Sequence, residues 1–321
     1  YYTITNANNV NVTRPSSGWS GYTQPTGALT IPSTVTYNGT VYTVRGIGNN
    51  AFQDCNGLFV VSIPTTVHSI GAQAFYYCTS FVSVNIPDSV TCIEDFSFGY
   101  CTGLPSIALP MSITSISSNA FRGCSNLTSV IIPNSVTSIG SYAFYGCNPL
   151  TSIIIPNSVT NIENGAFQSC DHLKSLIINN AAASIGESAF GSCYQLHDVR
   201  LGDSITSIGN RAFEYNSHID SLTIPNTVTS IGSNAFHDCY WLKYVKLPNT
   251  LTFIPTSAFQ GCDILASIEI PNSVMYISSA AFAGCSKLTN QTIPNTISFI
   301  GSNAFQGCGT INYCGAATGA P

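Results

Sequence analysis

The apolar positions of this chain follow one pattern that repeats every 23 residues. Its most regular member is a phenylalanine, which recurs without insertion or deletion at Phe52, Phe75, Phe98, Phe121, Phe144, Phe167, Phe190, Phe213, Phe236, Phe259, Phe282 and Phe305. An alanine precedes each of them except at Ser97, and a cysteine follows three residues later except at Asn216. A fixed period of this length is typical of a solenoid, in which each coil buries its apolar face against its neighbours. We therefore predict about twelve stacked coils.

Within one repeat, the apolar spacing changes in a way that predicts successive elements. Residues 127–132 follow the L-x-x-L-x-L spacing of a leucine-rich-repeat strand. Pro133-Asn134 then ends the strand, because proline cannot donate to a sheet and asparagine favours turns. The alanine, phenylalanine and cysteine of residues 143–147 have the spacing of a short helical turn. The pattern predicts an α/β solenoid: a right-handed superhelix with a parallel β-sheet on its concave face and short helical turns on the other side.

The two ends of the chain depart from the repeat, as terminal caps of a solenoid do. Asn38-Gly39 lies between alternating apolar residues, which is a strong signal for a β-hairpin. We expect residues 1–45 to form an N-terminal cap containing this hairpin, 46–308 to form the repeat array, and 309–321 to form a C-terminal tail whose Gly/Ala stretch after Cys314 is disordered. Cys308 and Cys314 are six residues apart, and whether they form a disulfide stays open.

Charged residues are scarce, and this scarcity excludes some classes of partner. Only 7% of the residues are charged, and the net charge is -5. No broad basic surface can therefore attract nucleic acid. No apolar run approaches the length of about 18 residues that a membrane helix needs, so we expect no membrane insertion within this chain. Its first residues do not resemble a signal peptide, and any signal or anchor is expected to lie outside this sequence.

Two regular rows of side chains could suggest other chemistry. Cysteines in neighbouring coils would have Cα atoms about 4.8 Å apart, within disulfide range, but a reduced cysteine at an inward position is more simply a small apolar core residue. No second Cys or His pair completes a zinc site, so no metal or cofactor is expected. A threonine row, interrupted at Ala183, could suggest ice binding, yet exposed threonine is also ordinary in strands.

The repeat resembles the BspA-like, treponemal-type leucine-rich repeat. The run from Leu127 to Cys147 carries the resemblance, as does the N-terminal segment 31–39, and it covers about residues 28–308. It implies a secreted or surface-attached protein of host-associated microbes, in a family where several relatives are adhesins. The family offers no shared catalytic motif or binding signature. Asn179 and Gly202, which replace the turn proline, and Asn216, which replaces the cysteine, depart from its pattern.

The residues at outward strand positions vary between coils, and core packing does not determine which side chains occupy them. We therefore predict the binding site at these positions. They form an isoleucine stripe followed by a charged and aromatic stretch, where aromatic and arginine residues could anchor an interface. The candidate binding residues are Ile131, Ile154, Ile177, His197, Asp198, Arg200, Asp220, Tyr240, Trp241, Lys243, Tyr244 and Lys246. The alternative is that they are only the solvated faces of divergent coils.

Three functions compete at this stage. The favoured one is a non-enzymatic adhesion protein that recognises an extracellular-matrix protein, a glycoprotein or another cell through the concave face. The main alternative is a structural spacer that presents other domains. A glycan-active β-helix-like enzyme is disfavoured because acids are few and because the adjacent pairs His197/Asp198 and His237/Asp238 are expected to diverge along a strand.

Overall fold

The structure, a computed structural model, describes residues 1–179, 181–313 and 318. It divides into two compact units, Tyr1–Leu150 and Thr151–Pro321, called here the N-terminal and C-terminal units. Each is a stack of 23-residue coils, with five phenylalanines of the repeated row in the first unit and seven in the second. Strands of neighbouring coils pair in parallel at an offset of 23 residues. The expected solenoid of about twelve parallel-strand coils is therefore confirmed, whereas the expected limits of the array and its handedness stay predictions.

Each coil contributes two strands, one to each of two rows, and the strands of one row are longer in most coils. The strands of the N-terminal unit are β1 (Tyr2–Asn6), β2 (Asn9–Val12), β3 (Gly27–Thr30), β4 (Thr34–Tyr37), β5 (Thr40–Ile47), β6 (Leu58–Ser62), β7 (Ser69–Ile70), β8 (Ser83–Asn85), β9 (Cys92–Ile93), β10 (Ser106–Ala108), β11 (Ser115–Ile116), β12 (Ser129–Ile131) and β13 (Ser138–Ile139). Those of the C-terminal unit are β14 (Ser152–Ile155), β15 (Asn161–Ile162), β16 (Ser175–Ile178), β17 (Ser184–Ile185), β18 (Asp198–Arg200), β19 (Ser207–Ile208), β20 (Ser221–Thr223), β21 (Ser230–Ile231), β22 (Tyr244–Lys246), β23 (Phe253–Ile254), β24 (Ser267–Glu269), β25 (Tyr276–Ile277), β26 (Gln291–Thr292), β27 (Phe299–Ile300) and β28 (Ile311–Asn312). From β6 onward, even numbers mark the longer row and odd numbers the shorter row.

The longer row presents alternate side chains to the core and to the outside, as strand geometry requires. In β22, Val245 is buried while Tyr244 and Lys246 are exposed. The longer strands of the C-terminal unit form three sheets, β14-β16-β18, β20-β22-β24 and β26-β28. In the N-terminal unit they form β3-β6-β8 and β10-β12. Within each unit the row is thus parallel but divided into short sheets.

The N-terminal cap contains more than the expected hairpin. Strands β4 and β5 pair antiparallel around Asn38 and Gly39, whose φ angles of 47° and 78° fit a tight hairpin turn, so the predicted hairpin is confirmed. Strands β1 and β2 form a second antiparallel pair, and β2 then pairs in parallel with β5. Strand β5 continues into the shorter row by pairing with β7, and β3 begins the longer row by pairing with β6. Both rows therefore begin within the first 47 residues.

Stacked phenylalanines form the centre of each unit. Within a unit, successive rings of the row lie 5.2 to 5.6 Å apart between centroids and are nearly parallel. The cysteines behind them are buried except for the half-buried Cys308, and nine donate from Sγ to the carbonyl of the phenylalanine 26 residues earlier, over 3.0 to 3.3 Å. The cysteine row is therefore part of the packed core.

The predicted short helical turns are wrong, since the described residues contain no helix. Around Phe144, Ala143 and Tyr145 donate to carbonyls three residues back, which is turn bonding rather than the i−4 bonding of an α-helix. The carbonyls of Ala143 and Tyr145 accept inter-coil bonds from the preceding coil, from the N–H groups of Phe121 and Gly123 respectively. The segment alternates between local turns and inter-coil bonds. Apolar spacing alone does not distinguish it from a helix.

The start of the C-terminal segment 309–321 continues the longer row, because β28 pairs in parallel with β26. The Tyr313 hydroxyl donates to the Ile297 carbonyl at 3.0 Å, and Phe299 forms a bridge with Thr318. Cys314, the second member of the possible disulfide, lies outside the described residues. Cys308 is half-buried in the last coil.

Candidate binding face

The outward residues of four neighbouring longer strands form the candidate binding face of the C-terminal unit. We define it by Asp198 and Arg200 on β18, Ser221 and Thr223 on β20, Tyr244 and Lys246 on β22, and Ser267 and Glu269 on β24. On β20, β22 and β24 the middle residue of each strand is buried in the core and the flanking pair is exposed. The strands therefore hold these side chains in fixed positions without needing their chemistry for packing.

Arg200 and Asp198 share one edge of this face. Arg200 Nε donates to Asp198 Oδ1 at 3.3 Å, and Asp198 Oδ2 accepts from Ser175 Oγ at 3.1 Å. The arginine side chain is 70% exposed, so the ion pair orients the guanidinium and contributes little to stability. His197 is also exposed, and its Nδ1 lies 2.9 Å from the Gln195 carbonyl. Three of the predicted residues thus lie on one edge.

A groove opens beside Arg200 because β18 and β20 belong to different sheets. It encloses about 310 Å³ and is lined by Val199, Arg200, Leu201, Asp203, Ser221, Leu222, Thr223 and Pro225. Glycine is needed at position 202 for the two coils to approach closely, because a Cβ there would lie only 2.6 Å from the Asn179 carbonyl oxygen. The departures from the repeat at Asn179 and Gly202 therefore coincide with a groove that carries one basic and one acidic side chain.

The second edge of the face is formed by β22 and β24. Tyr244 pairs in register with Ser221, and Lys246 lies between Thr223 and Glu269. Lysine and glutamate in directly opposed strand positions attract one another. The edge therefore carries balanced charge and one exposed tyrosine.

Exposed aromatic residues flank this edge in the turn before β22. Trp241 is 56% exposed, and its ring stacks on that of His218, with centroids 5.6 Å apart and planes inclined by 24°. Burial raises the pKa of the neighbouring Tyr240, and hydrogen bonding to Asp238 raises it further. Lys243 is exposed and donates its backbone N–H to the Asp220 carbonyl at 2.8 Å. The sequence predicted Trp241 as a binding residue but did not predict its stacking on His218.

The predicted isoleucine stripe is only partly exposed. In the C-terminal unit, Ile154 pairs in register with Ile177, which pairs in turn with Arg200. Ile154 is 57% exposed and Ile177 is half-buried. Ile131 belongs to the N-terminal unit, where it is 83% exposed beside Ala108. Ile154 and Ile177 therefore extend the binding face, and Ile131 is a separate exposed position.

The expected divergence of His237 and Asp238 is wrong. These residues lie in a turn rather than on a strand, and His237 Nδ1 is 3.7 Å from Asp238 Oδ2 and 3.3 Å from Glu214 Oε1. Arg211 Nε lies 3.7 Å from the other oxygen of Glu214. Burial raises the pKa of Glu214, although His237 and Arg211 oppose this shift. The 23-residue separation of Glu214 and His237 is a signal that could have found the cluster.

The described part of the chain shows neither a metal-binding cluster nor a membrane-spanning helix. No group of three or more His, Cys, Asp or Glu side chains is arranged to hold a metal ion. Among the described residues, no helix has the length and apolarity needed to cross a membrane.

The parallel coils, the L-x-x-L-x-L strands and the outward variable face define a leucine-rich-repeat protein. The family model for the BspA type leucine-rich repeat region matches residues 30–148, 93–220 and 210–316. The chain therefore belongs to the BspA-type leucine-rich-repeat family.

Solved structures agree with this assignment. A leucine-rich repeat protein from Bacteroides ovatus is 30% identical, with 96% of this chain and 90% of that chain aligned and a TM-score of 0.75. A leucine rich cell surface protein from Faecalibacterium prausnitzii is 30% identical over 98% of this chain and 93% of that chain, with a TM-score of 0.61. The leucine-rich repeat protein of T. pallidum is 32% identical over 62% of this chain and 88% of that one, with a TM-score of 0.54. None of the curated proteins matches the chain.

Proposed function

We propose that this chain is a cell-surface or secreted binding protein whose binding face recognises a protein or glycoprotein of the extracellular matrix or of another cell. The observation that carries the proposal is the exposure of Arg200, Tyr244, Lys246 and the adjacent Trp241 on rigid strands and turns that do not need them for packing. Aromatic and arginine side chains of this kind commonly dominate interface energies. Leucine-rich repeats as a class bind proteins, and a relative described as a cell surface protein supports the proposed location.

A structural spacer is the second candidate. A spacer needs a stable stack of coils but no localised chemistry on its surface. The groove beside Arg200 and the stacked His218 and Trp241 favour the binding function, because both are built from residues that differ between coils. Catalysis is disfavoured, since the face lacks a nucleophile aligned with a base among its described residues.

The two functions are distinguished by a direct binding measurement. The purified chain is passed over immobilised laminin, collagen and mucin at low and high salt. A binding protein gives saturable binding to at least one of them, and binding that involves Arg200 and Lys246 weakens as salt rises. Absence of saturable binding to all three at either salt concentration would favour the spacer.

A further inference from the structure

The turns around the core phenylalanines force two residues per coil into the left-handed backbone region. These residues lie two positions before and two positions after each phenylalanine, and all have positive φ. Most are Gly, Asn, Asp or Ser, which tolerate this conformation, whereas bulky side chains rarely adopt it. Tyr77, Phe96, Tyr100 and Tyr142 nevertheless occupy four of the ten such positions in the N-terminal unit. Among the fourteen in the C-terminal unit, Tyr215 is the only aromatic residue.

The four aromatic residues at these left-handed positions form one surface together with the neighbouring Tyr76 and Tyr145, and we call this surface the tyrosine platform. It consists of Tyr76, Tyr77, Phe96, Tyr100, Tyr142 and Tyr145. The rings of Tyr77 and Tyr100 are stacked, with centroids 4.8 Å apart and planes inclined by 6°. Tyr76 packs edge-on against both. Strained positions that persist at one surface point to a binding role rather than to packing.

Arg122 lies within the platform and is held rigidly. Its Nε donates to the Tyr100 hydroxyl at 3.1 Å, and Nη1 donates to Asn119 Oδ1 at 3.2 Å. The guanidinium carbon lies 4.3 Å from the ring centroid of Tyr145 and 5.3 Å from that of Tyr142. The arginine is therefore oriented before any ligand arrives.

The charge of Arg122 has no acidic partner in the described part of the chain. Arg200 and Arg211, by contrast, each lie within 4.0 Å of a carboxylate. Arginine has five N–H donors, of which only two are used here, so a planar anion can still be bound through a fork of donors. A half-buried cation without a counter-charge, among exposed ring surfaces, complements a ligand that carries both a carboxylate and apolar C–H groups.

We propose that the tyrosine platform binds a carboxylate-bearing saccharide, such as a uronic or sialic acid residue of a glycan. Arg122 binds the carboxylate, and the exposed Tyr77 and Tyr142 contact the C–H face and hydroxyls of the pyranose ring. Arg122 is the single cation of the platform and the chain has a net charge of -5, so the site does not suit a polyanion such as nucleic acid. The site lies in the N-terminal unit and is independent of the binding face proposed above.

The test is calorimetric titration of the chain with N-acetylneuraminic acid and glucuronic acid, with methyl β-glucoside and acetate as controls. Both acids should bind saturably, and each control should bind at least tenfold more weakly. Arg122→Gln should weaken acid binding at least tenfold, and Arg122→Lys, which retains the charge but not the fork, should give an intermediate loss. Thermal unfolding of each variant separates loss of binding from loss of the fold.

Tyr77→Ser provides a second variant that the backbone accepts. Ser169 and Ser192 occupy the equivalent left-handed position in other coils, with φ of 59° and 58°. This variant should fold and bind the acids several-fold more weakly, whereas Tyr215→Ser, its match in the C-terminal unit, should bind normally. Equal binding of acetate would show a general anion site, equal binding of methyl β-glucoside would show that Arg122 is not used, and no binding of either acid would exclude the site. Any of these results would overturn the proposal, as would binding of a short peptide with a free carboxyl terminus in the absence of saccharide binding.

Discussion

The side-chain amide of Asn216 donates a hydrogen bond to the carbonyl of Phe190 over 2.8 Å. This is the bond that a cysteine thiol makes in other coils, such as the bond from Cys193 to Phe167 at 3.2 Å. Asn216 is buried, however, and its Oδ1 has no hydrogen-bond partner among the described residues. The substitution keeps the inter-coil bond and adds an unsatisfied acceptor to the core.

Asn216→Cys should therefore stabilise the protein. A buried unsatisfied polar atom costs about 1–3 kcal/mol, so we expect the free energy of unfolding to rise by about 1 kcal/mol or more. Chemical denaturation measures this change. The matched control is Cys193→Asn, which should destabilise by a similar amount. A decrease on Asn216→Cys would mean that the amide makes a further interaction.

The left-handed turn positions lead to a second stability prediction. Ala280 has a φ of 55°, a conformation that costs an L-residue about 1–2 kcal/mol, whereas glycine adopts it freely. The greater conformational entropy that glycine loses on folding offsets part of this gain. Ala280→Gly should therefore stabilise the protein by about 0.5–1 kcal/mol.

The neighbouring alanine supplies the control for this change. Ala281 is fully buried and does not have a positive φ. Ala281→Gly should destabilise by about 1 kcal/mol, because it adds chain entropy and removes a packed methyl group. If both substitutions have the same sign in denaturation experiments, the description of the turns is incorrect.

These turns also show what the sequence could and could not predict. The rows of Phe and Cys predicted the core, and Asn38-Gly39 predicted the hairpin, because each depends on a local rule. The segment 143–147 was predicted as helical because apolar spacing is similar in a helix and in two successive turns. The inter-coil bond from Phe121 to Ala143 distinguishes them, and it depends on the neighbouring coil. The Gly, Asn, Asp and Ser residues that flank most of the phenylalanines are the signal that could have shown the turns.

The candidate sites also contain features that the sequence could predict and features that it could not. Outward positions such as Arg200, Tyr244 and Lys246 follow from strand alternation, so the sequence could place them on one face. The contacts of His218 with Trp241 and of Glu214 with His237 each join side chains 23 residues apart. Such contacts depend on side-chain orientation across coils, which the repeat pattern does not specify. The sequence did not predict the tyrosine platform for the same reason.

Cysteine reactivity should divide into two groups according to burial and pKa. Burial raises the pKa of Cys124 and Cys193 to about 12, so their thiols should not react with iodoacetamide in the native protein. Cys92 is exposed, but its pKa is also raised, by partial burial and by Glu94. Because the thiolate is the reactive form and the reagent must reach it, Cys92 should be alkylated much faster than Cys124 or Cys193 at pH 7.5.

Peptide mass spectrometry after timed alkylation checks this order. The rate at Cys92 should continue to increase above the ordinary pKa of a cysteine thiol, because partial burial and Glu94 raise its pKa. Modification of Cys124 at a rate comparable with that of Cys92 would show that the core opens readily.

The binding face itself is tested most directly by a triple variant, Arg200→Ala, Tyr244→Ala and Lys246→Ala, measured on whichever of laminin, collagen or mucin the unmodified chain binds. Because anchoring aromatic and arginine residues each contribute about 2 kcal/mol when central to an interface, affinity should fall at least tenfold while the unfolding midpoint stays unchanged. The control variant Asn85→Ala, Ser106→Ala and Ser129→Ala, at outward strand positions of the N-terminal unit, should bind within about twofold of the unmodified chain. Unchanged affinity in the first variant would contradict the proposal that this face binds the ligand.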